Sequence, residues 1–559
     1  MTCAIAQINS TVGDFSRNTS KIVDYACRAK EAGAALVLFP ELAICGYPPM
    51  DLLDQDIFTE LNIRAVRDLQ RRLPQGIACA VGYVNRNTSQ QGKSLVNAYG
   101  VIKDGALVFE QTKTLLPTYD VFDEARNFEP ARCWQPFELE GERIGFAICE
   151  DVWRETETPG TRYACDPVSR LLDSGITMLA IPSASPYYQS KHTARIALAE
   201  RIASRGGIPI VYINAVGAND SIIFDGRSFI LSENTIKNAK PFEEDLLISG
   251  GPPPPRTRPL LLTEFDILEN ALVMGVREYM AKCGFTRCHL GLSGGIDSAL
   301  VAYLAVQAVG AENVTSFSMP SRFSSQGSKD DAKALAENLG CRYETLPIEG
   351  VFTAFLTALE GVFEGRPFDL AEENLQARVR GSLMMAYSNK FNSMLLTTGN
   401  KSELAMGYCT LYGDMNGALC PIGDLFKTEV FALCEHINGK ARAAGGGAII
   451  PQEILDKPPS AELRPNQKDQ DSLPPYDVLD EILKFYLFQN LSAGEIMAKL
   501  SRPSTVLSAP IDRELVSGII KTVARAEFKR RQAPPVLKVS PRAFGMGRRM
   551  PIARHLYET

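Results

Sequence analysis

The sequence predicts an α/β protein built from two units, and three observations carry that prediction. Short runs of β-branched and aliphatic residues alternate with helical stretches along the whole chain, which is typical of α/β units. Four consecutive prolines interrupt the alternation in DLLISGGPPPPRTRPL, and such a run continues neither a helix nor an interior strand. The two halves carry different motifs and no internal repeat. We therefore predict a first domain at residues 1–245, an extended linker at 246–260 and a second domain at 261–559.

The predicted elements follow in order from residue type. After an opening strand within MTCAIAQINS, the stretch NTSKIVDYACRAKEAG has the pattern of a helix. Five further strands are predicted from β-branched runs: ALVLF, GIACAVGYV, RIGFAIC, ITMLAIPS and IPIVYIN. The second half begins with the helix LTEFDILENALVMGVREYMAKCG, followed by a strand at HLGL and the helix ALVAYLAVQAVG. Two segments rich in proline and charge, residues 458–476 and 529–551, are expected to be ordered by a ligand or a neighbouring subunit.

Composition places the chain among ordinary globular proteins. Of its 559 residues 45% are hydrophobic and 22% charged, and the net charge is −6, so nothing in the electrostatics favours nucleic acid or an anionic membrane surface as a partner. The 13 cysteines include no CxxC pair, which indicates reduced thiols rather than a disulfide framework or a zinc site. No apolar run approaches the ~20 residues of a membrane helix, and the N-terminus has no signal-peptide pattern. We expect a cytoplasmic protein whose partners are small molecules or other subunits.

A glycine-rich turn lies between a strand and a helix in HLGLSGGIDSALVAYL, residues 289–304. Such a turn exposes backbone N–H groups, and the helix N-terminus adds a positive dipole, so a phosphate is its natural ligand. The turn matches neither the GxxxxGK[ST] loop nor the GxGxxG fingerprint. Its centre SGGIDS, Ser293 to Ser298, offers two hydroxyls and two glycines to surround a pyrophosphate, while Asp297 is placed to hold a metal ion. The alternative is a plain turn without a ligand.

SGGIDS resembles the loop of the PP-loop ATP pyrophosphatases, which split ATP into AMP and pyrophosphate to activate a carboxylate or an amide oxygen. Four further segments narrow the resemblance to the synthetase domain of the glutamine-dependent NAD⁺ synthetases: TTGNKSELAMGY, LYGDMNGALCPIGDLFKTEV, SAELRPNQKDQDSLPPYDVLDEIL and FKRRQAPPVLKVSPRAFGMGRRMPI. The likeness spans most of residues 265–552. It implies a Rossmann-like PP-loop domain with a parallel sheet, and ATP and Mg²⁺ as the small molecules that the domain requires.

The resemblance assigns roles to residues of the second domain. ATP binding is implied for Gly291, Leu292, Ser293, Gly294, Gly295, Ile296, Asp297, Ser298 and Thr398. Binding of deamido-NAD⁺ is implied for Asn374, Glu403 and Lys529. Asp297 and Glu403 are expected near the metal ions and Lys427 near the phosphates, because negative charge develops on phosphate oxygens during adenylation. Lys529 lies in a KRR run, for which a solvated face is the alternative. Three residues in matching segments have no role that we derive: Arg378, Lys401 and Asp414.

The first half resembles the nitrilase, or carbon–nitrogen hydrolase, superfamily, which implies an α-β-β-α sandwich. Three segments carry the likeness: LVLFPELAICGYPPMDLL with Glu41, FEQTKTLLPTYDVFDEARNF with Lys113, and RIGFAICEDVW with Cys149. A thiolate is needed to attack an amide carbon, so Cys149 is the expected nucleophile and Glu41 the expected general base. Lys113 is expected to stabilise the oxyanion. A lone cysteine after a strand is usually a small buried hydrophobe, but the three residues together in superfamily order outweigh that alternative.

Glutamine has to be recognised by its α-amino and α-carboxylate ends. The resemblance assigns this binding to Tyr119, Ser185 and Lys191, in the segments PTYDVFDE and IPSASPYYQSKHTAR, and ordinary loop polarity is the alternative. Hydrolysis at Cys149 would supply ammonia to the second domain. The family relation further implies a closed passage for ammonia between the domains, and homo-oligomers built partly from dimers of synthetase domains.

Together these observations predict a ligase that converts deamido-NAD⁺ to NAD⁺ with ATP and glutamine, giving AMP, pyrophosphate and glutamate. One alternative is a PP-loop amidotransferase that acts on another carboxylate; segments 411–430 and 460–483 argue against it, because they lie where substrate choice should be made. A second alternative is a PP-loop enzyme that modifies RNA, for which a basic domain and paired redox cysteines are expected. A third is a first half that serves only as an inactive binding scaffold.

Overall fold

The computed structural model describes residues 1–89, 91–154, 163–233, 235–250, 262–501 and 507–555. The chain divides into two compact units, Met1–Leu261 and Leu262–Thr559, which we call the N-terminal unit and the C-terminal unit. Each unit has hydrophobic cores of its own, as expected for a chain too long for a single core. None of the helices in the described residues combines the length and the apolarity needed to cross a membrane.

The N-terminal unit is rich in strands. Its strands are β1 (Cys3–Gln7), β2 (Leu36–Leu38), β3 (Ala78–Arg86), β4 (Leu95–Lys103), β5 (Ala106–Thr112), β6 (Phe137–Leu139), β7 (Glu142–Phe146), β8 (Met178–Ser183), β9 (Ile210–Asn214), β10 (Val216–Asn219), β11 (Ile222–Asp225), β12 (Phe229–Ser232), β13 (Thr235–Asn238) and β14 (Asp245–Ile248). Its helices are α1 (Phe15–Glu31), α2 (Asp56–Arg72), α3 (Pro167–Asp173) and α4 (Lys191–Gly206). Short 3₁₀ turns occur at Met50–Asp54, Glu124–Arg126 and Cys149–Val152.

Two six-stranded sheets form the body of the N-terminal unit. One has the order β14-β1-β2-β3-β4-β5 and the other the order β13-β12-β9-β8-β7-β6, while β10 and β11 form a separate hairpin. The central pairs β1–β2–β3 and β7–β8–β9 are parallel, and the outer pairs are antiparallel. Because parallel strands end at the same edge of their sheet, the segments after β2, β7 and β8 are brought to common edges, where ligands bind in α/β folds.

The N-terminal unit has the α-β-β-α layers that the sequence predicts. Residues between the two sheets, among them Ile5, Phe146 and Ile213, form the central core. On β1 the neighbours Ala4 and Ala6 point the other way and belong to the core under α1 and α2, as the two-residue period of a strand requires. The second sheet packs its outer face on α3 and α4. The predicted sandwich is therefore confirmed.

The C-terminal unit is mainly helical around a small sheet. Its strands are β15 (Cys288–Gly291), β16 (Val314–Ser318), β17 (Arg342–Thr345) and β18 (Met394–Leu395). Its helices are α5 (Glu264–Lys282), α6 (Ile296–Val309), α7 (Gln326–Leu339), α8 (Glu349–Phe363), α9 (Leu370–Phe391), α10 (Lys401–Met406), α11 (Lys427–Ala443), α12 (Gln452–Asp456), α13 (Tyr476–Gln489), α14 (Ala493–Leu500), α15 (Arg513–Arg525) and α16 (Glu527–Arg530). Short 3₁₀ turns occur at Ala311–Asn313 and Asp469–Asp471.

The sheet of the C-terminal unit is parallel throughout. Its strand order is β17-β16-β15-β18, and each adjacent pair runs parallel. Helices α6, α7 and α9 pack on the strands, which confirms the predicted Rossmann-like arrangement. A separate core joins α10 to α13, α14 and α15 through residues such as Leu404, Leu479, Ile496 and Val516. The loops after β15 and β18 therefore lie at one edge of the sheet, beside this helical subdomain.

The predicted linker overlaps the first sheet. Strand β14 pairs with β1 in an antiparallel register that runs from Gln7 opposite Asp245 to Ala4 opposite Ile248, so residues 246–248 belong to the sandwich. Residues 251–260 of the predicted linker lie outside the described residues. The domain limits predicted at residues 245 and 260 stay a proposal beside the structural division after Leu261.

Candidate active sites

A buried lysine lies between two glutamates in the N-terminal unit. Lys113 directly follows β5, and Glu41 follows β2 by three residues. The Nζ atom of Lys113 lies 2.7 Å from Oε1 of Glu41 and 2.7 Å from Oε1 of Glu124. Asn97 donates a hydrogen bond to Glu41 at 2.8 Å, and the hydroxyl of Tyr47 donates to Glu124 at 2.9 Å. Because Lys113 is only 1% exposed, its ammonium is held in one place and shielded from water.

Cys149 lies on a strained turn just beyond β7, where the 3₁₀ turn Cys149–Val152 begins. Its φ of 45° is in the left-handed region, which is costly for a residue with a Cβ atom and occurs mainly at functional sites. Asp151 holds the turn through Oδ2, which accepts from the Ile148 amide at 3.0 Å. Its Oδ1 accepts from the amides of Thr114 and Leu115 at 2.9 and 2.7 Å. Asp151 thus ties the cysteine turn to the segment that follows the buried lysine.

The charges in this centre favour a neutral thiol at rest. Burial raises the pKa of Cys149 well above its usual value, and Glu41 raises it further while Lys113 opposes the rise. Burial acts to lower the pKa of Lys113, but Glu124 and Glu41 outweigh it and the pKa is raised. Burial also raises the pKa of Glu124 to about 7, against the effect of the lysine. With two carboxylates around one ammonium, the thiol loses its proton readily only to a neighbouring carboxylate, because that transfer adds no net charge.

One of the predicted glutamine-binding residues contacts a buried acid, and the charge of a second affects the pKa of that acid. Glu150 is 3% exposed, and the Tyr119 hydroxyl lies 3.0 Å from both of its carboxylate oxygens. Tyr163 donates to the same carboxylate at 2.9 Å. Burial raises the pKa of Glu150, and the charge of Lys191 is among the effects that oppose the rise. The Nζ atom of Lys191 also lies 3.7 Å from the centre of the Trp153 ring. The structure therefore places Tyr119 in contact with Glu150 and Lys191 over the Trp153 ring, where its charge affects the pKa of Glu150.

The third predicted glutamine-binding residue, Ser185, follows a residue that contacts Glu41. It follows β8 and is 2% exposed. Its amide donates to Asn214 Oδ1 at 2.9 Å, and its carbonyl accepts from the Arg195 guanidinium at 2.8 Å. The preceding residue, Ala184, donates its amide to Glu41 Oε2 at 3.1 Å. The backbone at Ser185 is therefore fixed on the wall of the same centre.

The SGGIDS turn of the C-terminal unit has the geometry of a phosphate loop. Gly294 has a φ of +80°, and a Cβ atom there would lie 2.2 Å from the Ser328 carbonyl oxygen, so only glycine fits. The hydroxyls of Ser293 and Ser298 lie 3.1 Å apart. Gly295 precedes α6, and within the described residues no side chain caps this helix. The first amides of α6 and the two hydroxyls therefore face a position suited to an anion.

Three charged residues that are far apart in sequence meet next to this turn. The ammonium of Lys427 donates to Asp297 Oδ2 and lies 3.6 Å from Glu403 Oε1. Asn400 donates to Asp297 Oδ1 at 3.0 Å, and its side-chain oxygen accepts from the Glu403 amide at 3.0 Å. Lys427 is the first residue of α11 and Glu403 lies on α10. The loop after β18 thus holds an acid opposite the acid of the SGGIDS turn, with a lysine between them.

These groups line a cavity of about 340 Å³ in the C-terminal unit. The whole turn Gly291–Ser298 forms part of the wall, together with Thr398, Glu403 and Lys427. The turn follows β15, and Thr398 follows β18. The cavity therefore opens at the carboxyl edge of the parallel sheet, which is the usual ligand position in this class of fold.

Comparison with known proteins agrees with two catalytic units in one chain. The family model for carbon-nitrogen hydrolase matches residues 2–249, and that for NAD synthase matches residues 268–533. The glutamine-dependent NAD⁺ synthetase of Synechocystis sp. is 46% identical, over 99% of this chain and 98% of its own. The chain belongs to the glutamine-dependent NAD⁺ synthetase family. The solved structure of the glutamine-dependent NAD⁺ synthetase from Acinetobacter baumannii, in complex with ADP, is 35% identical with a TM-score of 0.75, and covers 99% of this chain and 98% of that chain.

In this member of the NAD⁺ synthetase family, two predicted binding residues have protein partners instead of a place on the cavity wall. The side-chain oxygen of Asn374 accepts from the Thr410 hydroxyl at 2.7 Å. The Nζ atom of Lys529 donates to the carbonyls of Gly407 and Cys409, each at 2.8 Å. Among the described residues that line the cavity, Cys409 is present but Asn374 and Lys529 are not. Their role in binding deamido-NAD⁺ stays a prediction.

Four buried acids near the two centres of this NAD⁺ synthetase were not singled out in the sequence: Glu124, Glu150, Asp151 and Asp469. The first three lie within the segments that carry the nitrilase likeness, and Glu150 and Asp151 directly follow Cys149. Asp469 accepts from the Tyr476 hydroxyl at 2.8 Å and lines the synthetase cavity. These acids differ from the many exposed acids of the chain in being buried, which the sequence does not show. The sequence signal that could have identified them is their position inside the segments that match the two families.

Two acids of the synthetase cavity, Glu403 and Asp469, have raised pKa values. Burial and the nearby Asp297 raise the pKa of Glu403 to about 8, although Lys427 opposes the rise. Burial acts to lower the pKa of Lys427, but Asp297 and Glu403 outweigh it and the pKa is raised. Burial also raises the pKa of Asp469. Three acids around one ammonium leave an excess of negative charge, so a further cation is favoured in this cavity.

Proposed function

We propose that this ligase amidates deamido-NAD⁺ to NAD⁺, with ATP as the activating substrate and glutamine as the nitrogen donor. The observation that carries the proposal is the presence of two complete centres in one chain. The N-terminal unit holds a buried set of Cys149, Lys113 and Glu41, and the C-terminal unit holds an acid–lysine set beside a phosphate turn. Ammonia released at the first centre is joined to a carboxylate activated at the second.

The proposed reaction is tested with ATP, Mg²⁺, deamido-NAD⁺ and glutamine, by measuring NAD⁺, AMP and glutamate in the same sample. Equal formation of the three products is the expected result. A parallel sample without deamido-NAD⁺ should form no AMP. Glutamate without NAD⁺ would leave the hydrolase half in place and overturn the proposed acceptor, as would AMP formation that does not depend on deamido-NAD⁺.

The first centre is proposed to release ammonia through a thioester. Glu41 takes the thiol proton as the sulfur of Cys149 bonds to the side-chain carbonyl carbon of glutamine. The ammonium of Lys113 stabilises the oxygen that becomes negatively charged, and Glu124 helps to keep that lysine charged. Collapse of the tetrahedral intermediate breaks the C–N bond, and the proton on Glu41 passes to the leaving nitrogen. Water deprotonated by Glu41 then cleaves the thioester and gives glutamate.

The second centre is proposed to activate the carboxylate by adenylation. The nicotinate carboxylate of deamido-NAD⁺ attacks the α-phosphorus of ATP, pyrophosphate leaves, and a mixed anhydride with AMP forms. The hydroxyls of Ser293 and Ser298 and the first amides of α6 bind the pyrophosphate. Lys427 stabilises the charge that builds on the phosphate oxygens. Ammonia then attacks the activated carbonyl carbon, AMP leaves, and loss of a proton gives the amide.

Asp297 and Glu403 are proposed to hold Mg²⁺ together with the phosphates of ATP. Both are carboxylates, the ligand type that Mg²⁺ prefers. The ammonium of Lys427 already contacts one and lies 3.6 Å from the other, so the place between them suits positive charge. Burial, and after it the charge of Asp297, raises the pKa of Glu403 to about 8, so a cation beside this carboxyl group is favoured. When bound, the metal ion would neutralise charge on the triphosphate.

Glu150 is proposed to bind the α-ammonium group of glutamine. Its carboxylate is buried, is held by two tyrosine hydroxyls and lies next to the nucleophile. A carboxylate has about four acceptor positions, so it keeps capacity for a cation beside those two bonds. Lys191 carries the charge that suits the α-carboxylate, and the Ser185 hydroxyl, which accepts from Arg195 at 3.3 Å, is proposed to bind the same group. The two ends of the amino acid would then meet opposite charges.

The substitution Glu150→Gln is expected to raise the KM for glutamine about 10- to 100-fold, because a hydrogen bond between charged groups is lost. The introduced glutamine side chain has the shape of the glutamate, and its amide oxygen can accept from the same two tyrosines. The neighbouring Cys149 should therefore stay in place. Ammonium-dependent NAD⁺ formation should not change. The measurement compares hydrolysis of glutamine with that of glutaramate, the same amide without an α-amino group. A matched control is Glu138→Gln, since that side chain is 73% exposed. An equal loss with both amides would contradict the assignment.

A second copy of this chain is proposed to pack against α8. Val351, Phe355 and Val362 follow one another at four and seven residues and so share one face of this helix. They are 39, 44 and 72% exposed. Phe391 at the end of the neighbouring α9 is 54% exposed. Contiguous exposed apolar side chains of this kind mark interaction surfaces, and self-association in twofold symmetry uses one such patch on both copies. This face supports the expected dimer of synthetase domains.

The double substitution Phe355→Lys and Val362→Lys is expected to convert the assembly to a species of about half its mass or less, because buried charges oppose the contact. Sedimentation velocity measures the change. The matched control is Val108→Lys on β5, where the side chain is 50% exposed, and it should keep the parent assembly. An unchanged sedimentation coefficient in the double variant would place the interface elsewhere.

The other functions considered from the sequence are not favoured. Relatives that match nearly the whole chain, from Synechocystis sp., Thermotoga maritima and Rhodobacter capsulatus, are glutamine-dependent NAD⁺ synthetases. An amidotransferase for another carboxylate, or an enzyme that modifies RNA, is not expected to match these synthetases over that length. The burial of Lys113 between two glutamates argues against an inactive scaffold. A cytoplasmic location is proposed as well, and it is supported by the 13 cysteines, all within the described residues, because none of them forms a disulfide bond.

A further inference from the structure

The acid Glu403 lies on α10, a helix of only six residues, Lys401–Met406. A helix of this length is not stable by itself in water, so contacts outside the helix decide where the Glu403 carboxylate lies. Those contacts come in large part from residues 529–542, which we call the C-terminal segment. It donates to or accepts from residues at both ends of α10.

At the first end of the helix, Lys401 is completely buried, with 0% of its surface exposed. Its Nζ atom donates to Asp424 Oδ1 at 2.7 Å, to the Ser540 hydroxyl at 2.7 Å and to the Arg542 carbonyl at 2.8 Å. The ring of Phe488 lies 4.6 Å from the same atom. All three donors of the ammonium therefore have an acceptor, and two of the three acceptors belong to the C-terminal segment.

Asp424 completes the connection between Lys401 and the C-terminal segment. Its Oδ1 accepts from Lys401 and also from the Ser540 hydroxyl at 2.9 Å. Its Oδ2 accepts from the amides of Val539 and Ser540 at 2.8 and 2.7 Å. A buried ion pair loses its hydration and adds little to the free energy of unfolding. What this pair supplies is one fixed arrangement of the helix start relative to residues 539 and 540.

The C-terminal segment also binds the other end of α10. Arg530 donates from one guanidinium nitrogen to the carbonyls of Leu404 and Ala405 at 3.0 and 2.9 Å. Lys529 donates to the carbonyl of Gly407 at 2.8 Å. Carbonyls in the last turn of a helix have no partner within it, so these side chains satisfy them. The helix that carries Glu403 is thus held at its start and at its end by the same stretch of chain.

The first residues of α10 also set the position of Lys427. The amide of Lys401 donates to the Leu425 carbonyl at 2.8 Å. The amide of Lys427 donates to the Ser402 hydroxyl at 3.0 Å. The start of α10 and the start of α11 are therefore joined by one backbone–backbone hydrogen bond and one from an amide to a side-chain hydroxyl. A displacement of one helix start changes the distance from Glu403 to the lysine ammonium.

We propose that Lys401 is a positioning residue for the synthetase reaction: through Asp424 and the C-terminal segment it fixes α10 so that Glu403 faces Lys427 and Asp297. This inference rests on the role proposed above for Glu403. Lys401 is not among the described residues that line the cavity, so it acts through α10 and not by contact with a substrate. Displacement of a catalytic group by ~1 Å costs on the order of 10² in rate, which sets the size of the effect.

The first test is Lys401→Met, which keeps an unbranched side chain and removes the ammonium. With ammonium as nitrogen source, kcat is expected to fall about 10- to 100-fold, while the KM for ATP changes less than about threefold because the hydroxyls of Ser293 and Ser298 bond within their own turn. Hydrogen exchange of the amides at residues 402–409 should become at least about tenfold faster, without a matching change in the N-terminal unit. The control is Lys484→Met, a lysine near the ring of Phe426 that is 34% exposed.

A second variant separates positioning from folding. Lys401→Met combined with Asp424→Asn leaves neither member of this ion pair charged, so it removes the cost of a buried Asp424 carboxylate without its lysine. The inference predicts that the double variant folds and still shows the low kcat and the fast exchange in α10. Parent values of kcat and exchange in the folded double variant would overturn it, and so would fast exchange with an unchanged kcat. If the parent chain formed no NAD⁺, the proposed function would be wrong. In that case, unchanged hydrogen exchange in α10 of the Lys401 variants would overturn the positioning role without any activity measurement.

Discussion

Replacing Cys149 with alanine is expected to lower glutamine-dependent NAD⁺ formation at least about 10³-fold and to leave ammonium-dependent formation within about twofold of the parent value. Alanine removes the sulfur that forms the thioester, while the groups of the synthetase cavity keep their contacts. The change also leaves Asp151 in place, which holds the turn through Ile148. Initial rates with saturating glutamine and with saturating ammonium chloride, both followed as NAD⁺, give the comparison.

The matched control for this experiment is Cys133→Ala, because that cysteine lies exposed in the same unit. It should lose neither activity. Loss of both activities in a folded Cys149→Ala protein would mean that the two chemistries are not separate. Retention of glutamine-dependent synthesis would remove Cys149 from the role of nucleophile and leave the buried Lys113–Glu41 pair without a catalytic explanation.

Local sequence patterns identified the elements that carry the sites, because those elements depend on nearby residues. The runs ALVLF, RIGFAIC and ITMLAIPS became β2, β7 and β8, and the helix expected before HLGL became α5. Less regular strands did not stand out, and β14 is an example. It was assigned to the linker because prolines follow it, yet it pairs with β1, more than 200 residues away in sequence. Only such long-range pairing decides whether a short run is a strand.

The candidate catalytic residues could be named from the sequence where a motif surrounds them, and their hydrogen-bond partners could not. Cys149, Lys113 and Glu41 each lie in a recognisable segment, but nothing local shows that Glu124 shares the lysine with Glu41. The same holds for Lys427, which contacts Asp297 across 130 positions of sequence. Such pairs are set by how the chain folds back on itself. A sequence pattern therefore names the acids and bases, and the structure decides which of them change each other's pKa.

The segments rich in proline and charge show a similar limit. Residues 458–476 and 529–551 were expected to need a ligand or another subunit for order, because their composition forms no regular element. In the structure much of their order comes from their own chain. Glu462 accepts from the hydroxyls of Ser325 and Ser328 at 2.9 and 2.7 Å, and Ser540 bonds to Asp424. Side-chain contacts of this kind leave no periodic signal in the sequence.

The substitution Asp297→Ala is expected to lower NAD⁺ formation at least about 10³-fold with either glutamine or ammonium as the nitrogen source. Both sources depend on the same adenylation step, in which Asp297 is proposed to take part. Its loss removes the carboxylate that Lys427 contacts and one of the two proposed ligands of Mg²⁺. Asn400 would also lose an acceptor at 3.0 Å, which loosens the start of α10. Pyrophosphate formation in the presence of ATP and deamido-NAD⁺ measures the adenylation step without the amide transfer.

Asp297→Asn separates charge from packing, because asparagine has nearly the same shape and still accepts hydrogen bonds. If the charge is what matters, this variant should fall by a similar factor and should require more Mg²⁺ for half of its remaining activity. Asp330→Ala, an exposed acid on α7, is the control and should match the parent. Unchanged ATP turnover in Asp297→Ala would refute the role of the SGGIDS turn. Activity retained only in Asp297→Asn would mean that the residue shapes the turn for the pyrophosphate and that the metal is held by other groups.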